Sequence, residues 1–118
     1  MKIIIAGGRD YEFTEDDIEH LDELIDLFDE VVCGCARGVD TEGKLWAIKR
    51  GIPVKEFPAD WNLYGKSAGA LRNKDMAEYA DGVILFKGGR GTENMFKRAK
   101  QLKLHIWDWR EDQDNWLG

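Results

Sequence analysis

Gly82-Val83-Ile84-Leu85-Phe86-Lys87-Gly88-Gly89-Arg90-Gly91-Thr92 is the stretch that decides the fold. Its first five residues form an apolar run of the kind that fills a strand buried on both faces. The run ends in a loop that is nearly all glycine. A helical pattern follows from Thr92 to Leu102, with Met95, Ala99 and Leu102 on one face. A helix N-terminus offers about four unpaired N–H groups and roughly half a positive charge. Glycine removes the Cβ that would keep an anion away from those groups. A tight strand-to-helix turn needs one glycine at positive φ; three with a following threonine exceed that need. The stretch therefore predicts a phosphate on Gly88, Gly89, Gly91 and Thr92. The Thr92 hydroxyl is free to cap the helix or to bond a phosphate oxygen, and Arg90 adds charge.

The same alternation runs through the rest of the chain. Lys2–Ala6 reads as a buried strand ending in Gly7-Gly8-Arg9-Asp10. Thr14 is a predicted N-cap with Asp17 as its acidic partner. Ile18, Leu21, Ile25 and Phe28 then recur at helical spacing. Glu30–Cys33 reads as a second strand, ending in Gly34-Cys35-Ala36-Arg37-Gly38. Asp40 opens a helix carrying Leu45, Trp46 and Ile48, stopped by Gly51. A third strand, Ile52–Phe57, leads into a polar and aromatic loop, Pro58–Ser67. A helix over Ala68–Tyr79 precedes the strand Gly82–Phe86, and Leu104–Trp107 reads as the fifth strand. The charged tail starts at Asp108, with Trp109 and Trp116 able to pack down. Such alternation predicts a doubly wound α/β domain over residues 1–118, with about five parallel strands and flanking helices. Its ligand crevice lies at the carboxyl ends of the strands, so the loops after strands one, two and four gather on one edge.

Further candidates sit on those loops. Gly7, Gly8 and Arg9 flank the phosphate, although two glycines also suit a plain turn. Gly34, Arg37 and Asp40 follow the second strand; Asp40 either caps its helix or bonds a ribose hydroxyl. Arg72, beside Asn73, either reaches the crevice for a bidentate contact or pairs at the surface with Asp75 or Glu78. Trp61 and Tyr64 either stack on a base or pack as an aromatic lid. The pattern is neither the dinucleotide fingerprint nor a Walker A loop.

Composition narrows the function classes. The chain has 118 residues, 43% hydrophobic and 34% charged, as expected for a globular protein rather than a disordered one. No apolar run approaches the roughly 20 residues that a membrane helix needs, and Met1–Ala6 runs into the first strand with no secretory leader. A net charge of −6 disfavours nucleic acid as a partner. The stretch Lys87–Lys103 is nevertheless basic and surrounds the glycine loop. Cys33 and Cys35 would point to opposite faces of a strand, so no disulfide joins them. They lack a second ligand pair, and His20 and His105 lie far off in sequence, so no metal is expected. Reduced, buried or half-buried thiols suit a cytoplasmic protein.

Taken together, these residues resemble the SLOG superfamily, and most of all its YspA/YpsA-related branch (YAcAr), found in bacteria and phages. The resemblance runs through Gly7-Gly8-Arg9-Asp10-Tyr11, Gly34 to Asp40 with Trp46-Ala47, and Phe57-Pro58-Ala59-Asp60-Trp61. It continues through Gly65, Ala68-Gly69, Arg72-Asn73, Met76, Ala80-Asp81 and Gly88-Gly89-Arg90-Gly91-Thr92. It implies a Rossmann-like fold that binds a nucleotide or nucleotide-derived ligand, such as a nucleoside monophosphate or a relative of NAD or ADP-ribose, with no resident cofactor. It also implies a homodimer paired through crossover helices. The lonely-guy phosphoribohydrolases and the DNA-processing Smf/DprA proteins are more distantly similar. The former imply an N-glycosidase as the alternative, with Arg72 and Glu93 as catalytic candidates; the latter imply single-strand binding. The enzymes' catalytic glutamate position holds Met95 here. Glu93 stands two residues early, about 200° away around a helix. Asp10 and Asp60 are the other acids that could stand in.

Overall fold

The computed structural model describes residues 1–111. Five parallel strands, β1 (Lys2–Ala6), β2 (Glu30–Cys33), β3 (Val54–Glu56), β4 (Gly82–Leu85) and β5 (His105–Asp108), form one sheet in the order β3-β2-β1-β4-β5. The helices are α1 (Glu15–Glu23), α2 (Val39–Lys49), the four-residue α3 (Trp61–Tyr64), α4 (Ala68–Tyr79) and α5 (Arg90–Gln101). This is the expected doubly wound, Rossmann-like α/β architecture.

The central strands carry continuous apolar runs because both of their faces are covered. Ile3, Ile5, Leu21, Val31, Trp46, Ile84 and Phe86 form the core on one side of the sheet. Ile4, Val32, Met76, Val83, Leu85, Met95 and Ala99 form it on the other. β1 pairs with β2 on one side and β4 on the other. The strand order reverses there, which opens a crevice above their carboxyl ends.

Several elements differ from expectation. Thr14 does cap α1: its Oγ1 accepts from Asp17 N at 3.1 Å, and Thr14 N donates to Asp17 Oδ2 at 2.9 Å. The helix ends at Glu23, however, and a 3₁₀ turn over Ile25–Leu27 completes the apolar face. The tighter turn lets the chain reach β2 within a few residues, and Ile18, Leu21, Ile25 and Phe28 all still reach the core.

β3 is shorter than expected, three residues at the sheet edge, because Pro53 has no N–H to pair with; it offers only its carbonyl, to Val31 N at 2.9 Å. Pro58–Ser67 is not a plain loop. It contains α3 and a 3₁₀ turn, and Asp60 Oδ1 caps α3 by accepting from Leu63 N at 3.0 Å. On α2 only Trp46 of the three named apolar residues is buried; Leu45 and Ile48 are 48% and 56% exposed. The buried face of α2 is Val39, Gly43, Trp46 and Ala47.

Leu102 is exposed, while Met95 and Ala99 are buried. β5 extends to Asp108, and Trp109 packs edge-on against Phe86, their ring centroids 5.5 Å apart. Trp116 lies outside the described residues. Cys33 and Cys35 are both free; Cys33 is buried, but Cys35 takes a left-handed φ of 63° and is exposed. Among the described residues, no helix is long and apolar enough to cross a membrane.

Candidate functional site

The loops after β1, β2 and β4 do meet on one rim. They enclose a cavity of about 360 Å³ lined by Gly7, Gly8 and Arg9, by Ala36 and Asp40, and by Gly89, Arg90, Gly91 and Thr92. Arg72 and Asn73 enter from α4, and Ala6 and Met95 form the floor. The glycines divide by role. A Cβ at Gly89 or Gly91 would meet nothing within 4 Å, so these two leave space open. At Gly88 a Cβ would collide with the Thr92 hydroxyl and lie 2.8 Å from Gly8 N. Gly88 does not line the cavity; it lets the β1 and β4 loops touch, where Gly8 N donates to Lys87 O at 2.7 Å. Gly7 is also a close-packing position, since a Cβ there would lie 2.6 Å from Val39 Cγ2.

α5 begins at Arg90, two residues before the sequence suggests, and Gly89 at its N-cap position supplies no side-chain cap. Thr92 is therefore not the cap. It sits inside the first turn, 5% exposed, and lines the cavity. Its hydroxyl has no hydrogen-bond partner among the described residues, and it is not sealed away from the cavity. Buried polar groups are normally paired, so an open, unpaired hydroxyl beside uncapped helix N–H groups is a ready acceptor-and-donor position for a ligand. Asn73, 7% exposed, holds this end in place: its Nδ2 donates to Gly91 O and to Asn94 Oδ1, both at 3.1 Å.

The charge of the cleft is uneven. Arg72 donates through Nη1 to Gly34 O and through Nε to Asn73 Oδ1 at 3.1 Å. It forms no surface pair with Asp75 or Glu78, so of its two expected positions the crevice is the one observed. Among the described residues, Arg9, Arg72 and Arg90 have no carboxylate within ion-pair distance. The one acid in the lining is Asp40. It is not the helix cap, because α2 starts at Val39 with Gly38 at the N-cap position. Asp40 lies in the first turn and reaches back to the loop, where its Oδ2 accepts from Ala36 N at 3.3 Å. Burial pushes its pKa up to about 6, against the opposing pull of the Ala36 N–H, Arg72 and Arg9.

Trp61, Gly34 and Arg37 line a second chamber, of about 440 Å³, which shares Arg9, Ala36 and Arg72 with the first. Trp61 is 49% exposed and so is not a packed lid. Tyr64 lines neither chamber. The other acids are engaged elsewhere. Glu93 is exposed and pairs with Arg110 at 2.8 Å; Asp10 pairs with Arg37 at 3.1 Å; Asp60 caps α3. Reasoning from sequence missed Ala6, Ala36, Pro58 and Ala59 as lining residues. Their signal was weak, since small or apolar residues at strand ends look the same whether or not they face a cavity. Among the described residues, no group of three His, Cys, Asp or Glu side chains could hold a metal ion.

Three comparisons with known proteins bear on this site. The model of the YspA, cpYpsA-related SLOG family (YAcAr) matches residues 1–64. That region contains the first two glycine loops and Trp61. The Gene 61 protein of Mycobacterium phage D29 is 36% identical over 84 residues, covering 64% of this chain and 67% of that protein. The crystal structure of DNA processing protein A (DprA) from Streptococcus pneumoniae superposes with a TM-score of 0.68 at 16% identity, over 89% of this chain. The chain spans only 48% of the length of that protein, and the likeness is one of fold.

Proposed function

The chain belongs to the YspA, cpYpsA-related SLOG family, and from that premise we propose that it binds a nucleotide by its phosphate, as a binding or sensing module. One observation carries the reading: α5 opens into the cleft with no cap, two unobstructed glycines and the unpaired Thr92 hydroxyl. A phosphate dianion there meets the helix dipole and the guanidinium groups of Arg9, Arg72 and Arg90. Trp61, in the adjoining chamber, offers its face to a base.

The reading is tested by titrating AMP, ADP-ribose and NAD by calorimetry and thermal shift. A ligand at a hundredfold excess over its dissociation constant adds about 2–3 kcal/mol of stability. No heat and no shift with any of the three would remove the reading.

Gly91→Asp separates the site from the fold. A Cβ at Gly91 meets nothing within 4 Å, and a carboxylate in the first turn of a helix favours the helix. The unliganded variant is expected to melt at or slightly above the wild-type temperature. Its affinity for AMP is expected to fall about a hundredfold or more, because like charges brought together cost several kcal/mol. Unchanged affinity would move the phosphate elsewhere.

The N-glycosidase alternative needs an acid at the substrate. Met95 occupies the floor, Glu93 points to Arg110, and only Asp40 lines the cavity. Free base released from nucleoside monophosphates above a boiled control would favour the alternative over binding alone.

A further inference from the structure

The second chamber is lined by three arginines, Arg9, Arg37 and Arg72, and by no acidic residue. A base stacked on Trp61 takes up a ring face and a few hydrogen bonds, which leaves the guanidinium groups of this chamber available to an anion beside it. A monophosphate held at the start of α5 draws on Arg90 in the first chamber and on Arg9 and Arg72 where the chambers join. Arg37 lines the second chamber and not the first, so it is not among the side chains gathered around that phosphate. Among the described residues its ion-pair partner is Asp10, and both side chains of that pair are largely exposed, at 74% and 90%. An exposed pair of this kind is weak and exchanges readily for a better anion. Arg72, which lines both chambers, donates to Gly34 O, and among the described residues no carboxylate lies within ion-pair distance of it, although Asp40 acts on it through space. A methyl built on Gly34 would lie 2.6 Å from Asp40 Oδ2 and 2.9 Å from Arg72 Nη1. A side chain at Gly34 would therefore press on both Asp40 and Arg72.

We infer that the ligand is a nucleotide with a second phosphate, the first held at the N-terminus of α5 and the second in the arginine chamber. This rests on the nucleotide reading above and narrows its substrate class. The second phosphate is either joined to the first as a diphosphate or carried on the far side of the ribose. Both forms present the same chemistry to Arg37, and the experiment separates them.

The test is calorimetric titration of the full chain with AMP, ADP and adenosine 3′,5′-bisphosphate, at one ionic strength. A charge-assisted hydrogen bond contributes about ten- to a hundredfold in affinity. One of the two doubly phosphorylated ligands is expected to bind tighter than AMP by that factor, and which one identifies the arrangement. Arg37→Ala is expected to erase the gain, so that neither doubly phosphorylated ligand binds the variant tighter than AMP binds that same variant, with the thermal melt of the unliganded protein unchanged; Arg37→Lys is expected to restore part of it. If AMP binds and neither second phosphate strengthens binding, the inference fails and the nucleotide reading stands. A gain that survives Arg37→Ala also overturns it. If none of the three binds, the inference falls, and the nucleotide reading falls with it when ADP-ribose and NAD are silent too.

Discussion

Gly38→Ala is expected to cost about 3–5 kcal/mol of folding stability, combining backbone strain with crowding. Gly38 has a φ of +81°, a conformation that side chains with a Cβ rarely adopt. A Cβ there would also collide with Gly8 O and lie 2.6 Å from Arg9 Cα. Both neighbours are backbone, so neither can rotate aside. The next residue, Val39, donates its N–H to Gly8 O at 3.1 Å, which binds the loop after β2 to the loop after β1. The substitution must therefore part the two loops that form one wall of the cleft. Gly51→Ala is the matching control: φ there is +72°, but a Cβ meets nothing within 4 Å, so strain acts without crowding. It is expected to cost about 1 kcal/mol. Urea unfolding of both variants measures the contrast. Equal midpoints would show that the two loops are not packed on each other as described.

Asp40→Asn is expected to change how stability varies with pH. Asp40 is raised from 3.8 to about 6 on folding, chiefly by burial. Between those values the folded protein binds more protons at this site than the unfolded chain does, so stability falls as pH rises. The favourable contribution is complete below 3.8 and lost once pH passes about 6. A shift of this size corresponds to about 3 kcal/mol. Asparagine keeps an acceptor for Ala36 N but never ionises. The variant is expected to exceed the wild type by up to about 3 kcal/mol at pH 8, with the advantage shrinking to nothing near pH 4. The difference between the two proteins is the quantity to measure, because Asp22 and Asp108, whose pKa values are lowered by Arg50 and Arg110, pull stability the other way in acid. A difference that does not vary with pH would show that Asp40 titrates normally. An anion in the cleft is expected to bind with proton uptake at neutral pH, since it further disfavours the Asp40 carboxylate.

Much of this was legible in the residues. Ile3-Ile4-Ile5, Val31-Val32 and Val83-Ile84-Leu85 are β-branched or apolar without alternation, which only a sheet covered on both faces requires. Parallel strands, short loops and glycines after β1, β2 and β4 then brought one rim together. What stayed hidden were the details that depend on tertiary packing. Asp40 and Thr92 have the residue types of helix caps, yet each lies inside its helix, because a preceding glycine occupies the N-cap position. Leu45 and Ile48 suggest a buried face, but Gly43 lets α2 approach Ile5 along a different one. No local pattern shows that Gly88 makes room for Thr92 whereas Gly89 and Gly91 border open space. That distinction depends on which atoms lie beyond the missing Cβ.

The two thiols at the end of β2 provide a chemical gauge of this corner of the molecule. Cys35 is exposed, whereas Cys33 is buried and its pKa is pushed up to about 12 by loss of solvent. An alkylating reagent at neutral pH therefore consumes one sulfur quickly and reaches the other only when the β2 end opens. The slow phase of labelling reports the opening frequency of the strand whose following loop carries Arg37, and an anion bound beside that loop is expected to lengthen it.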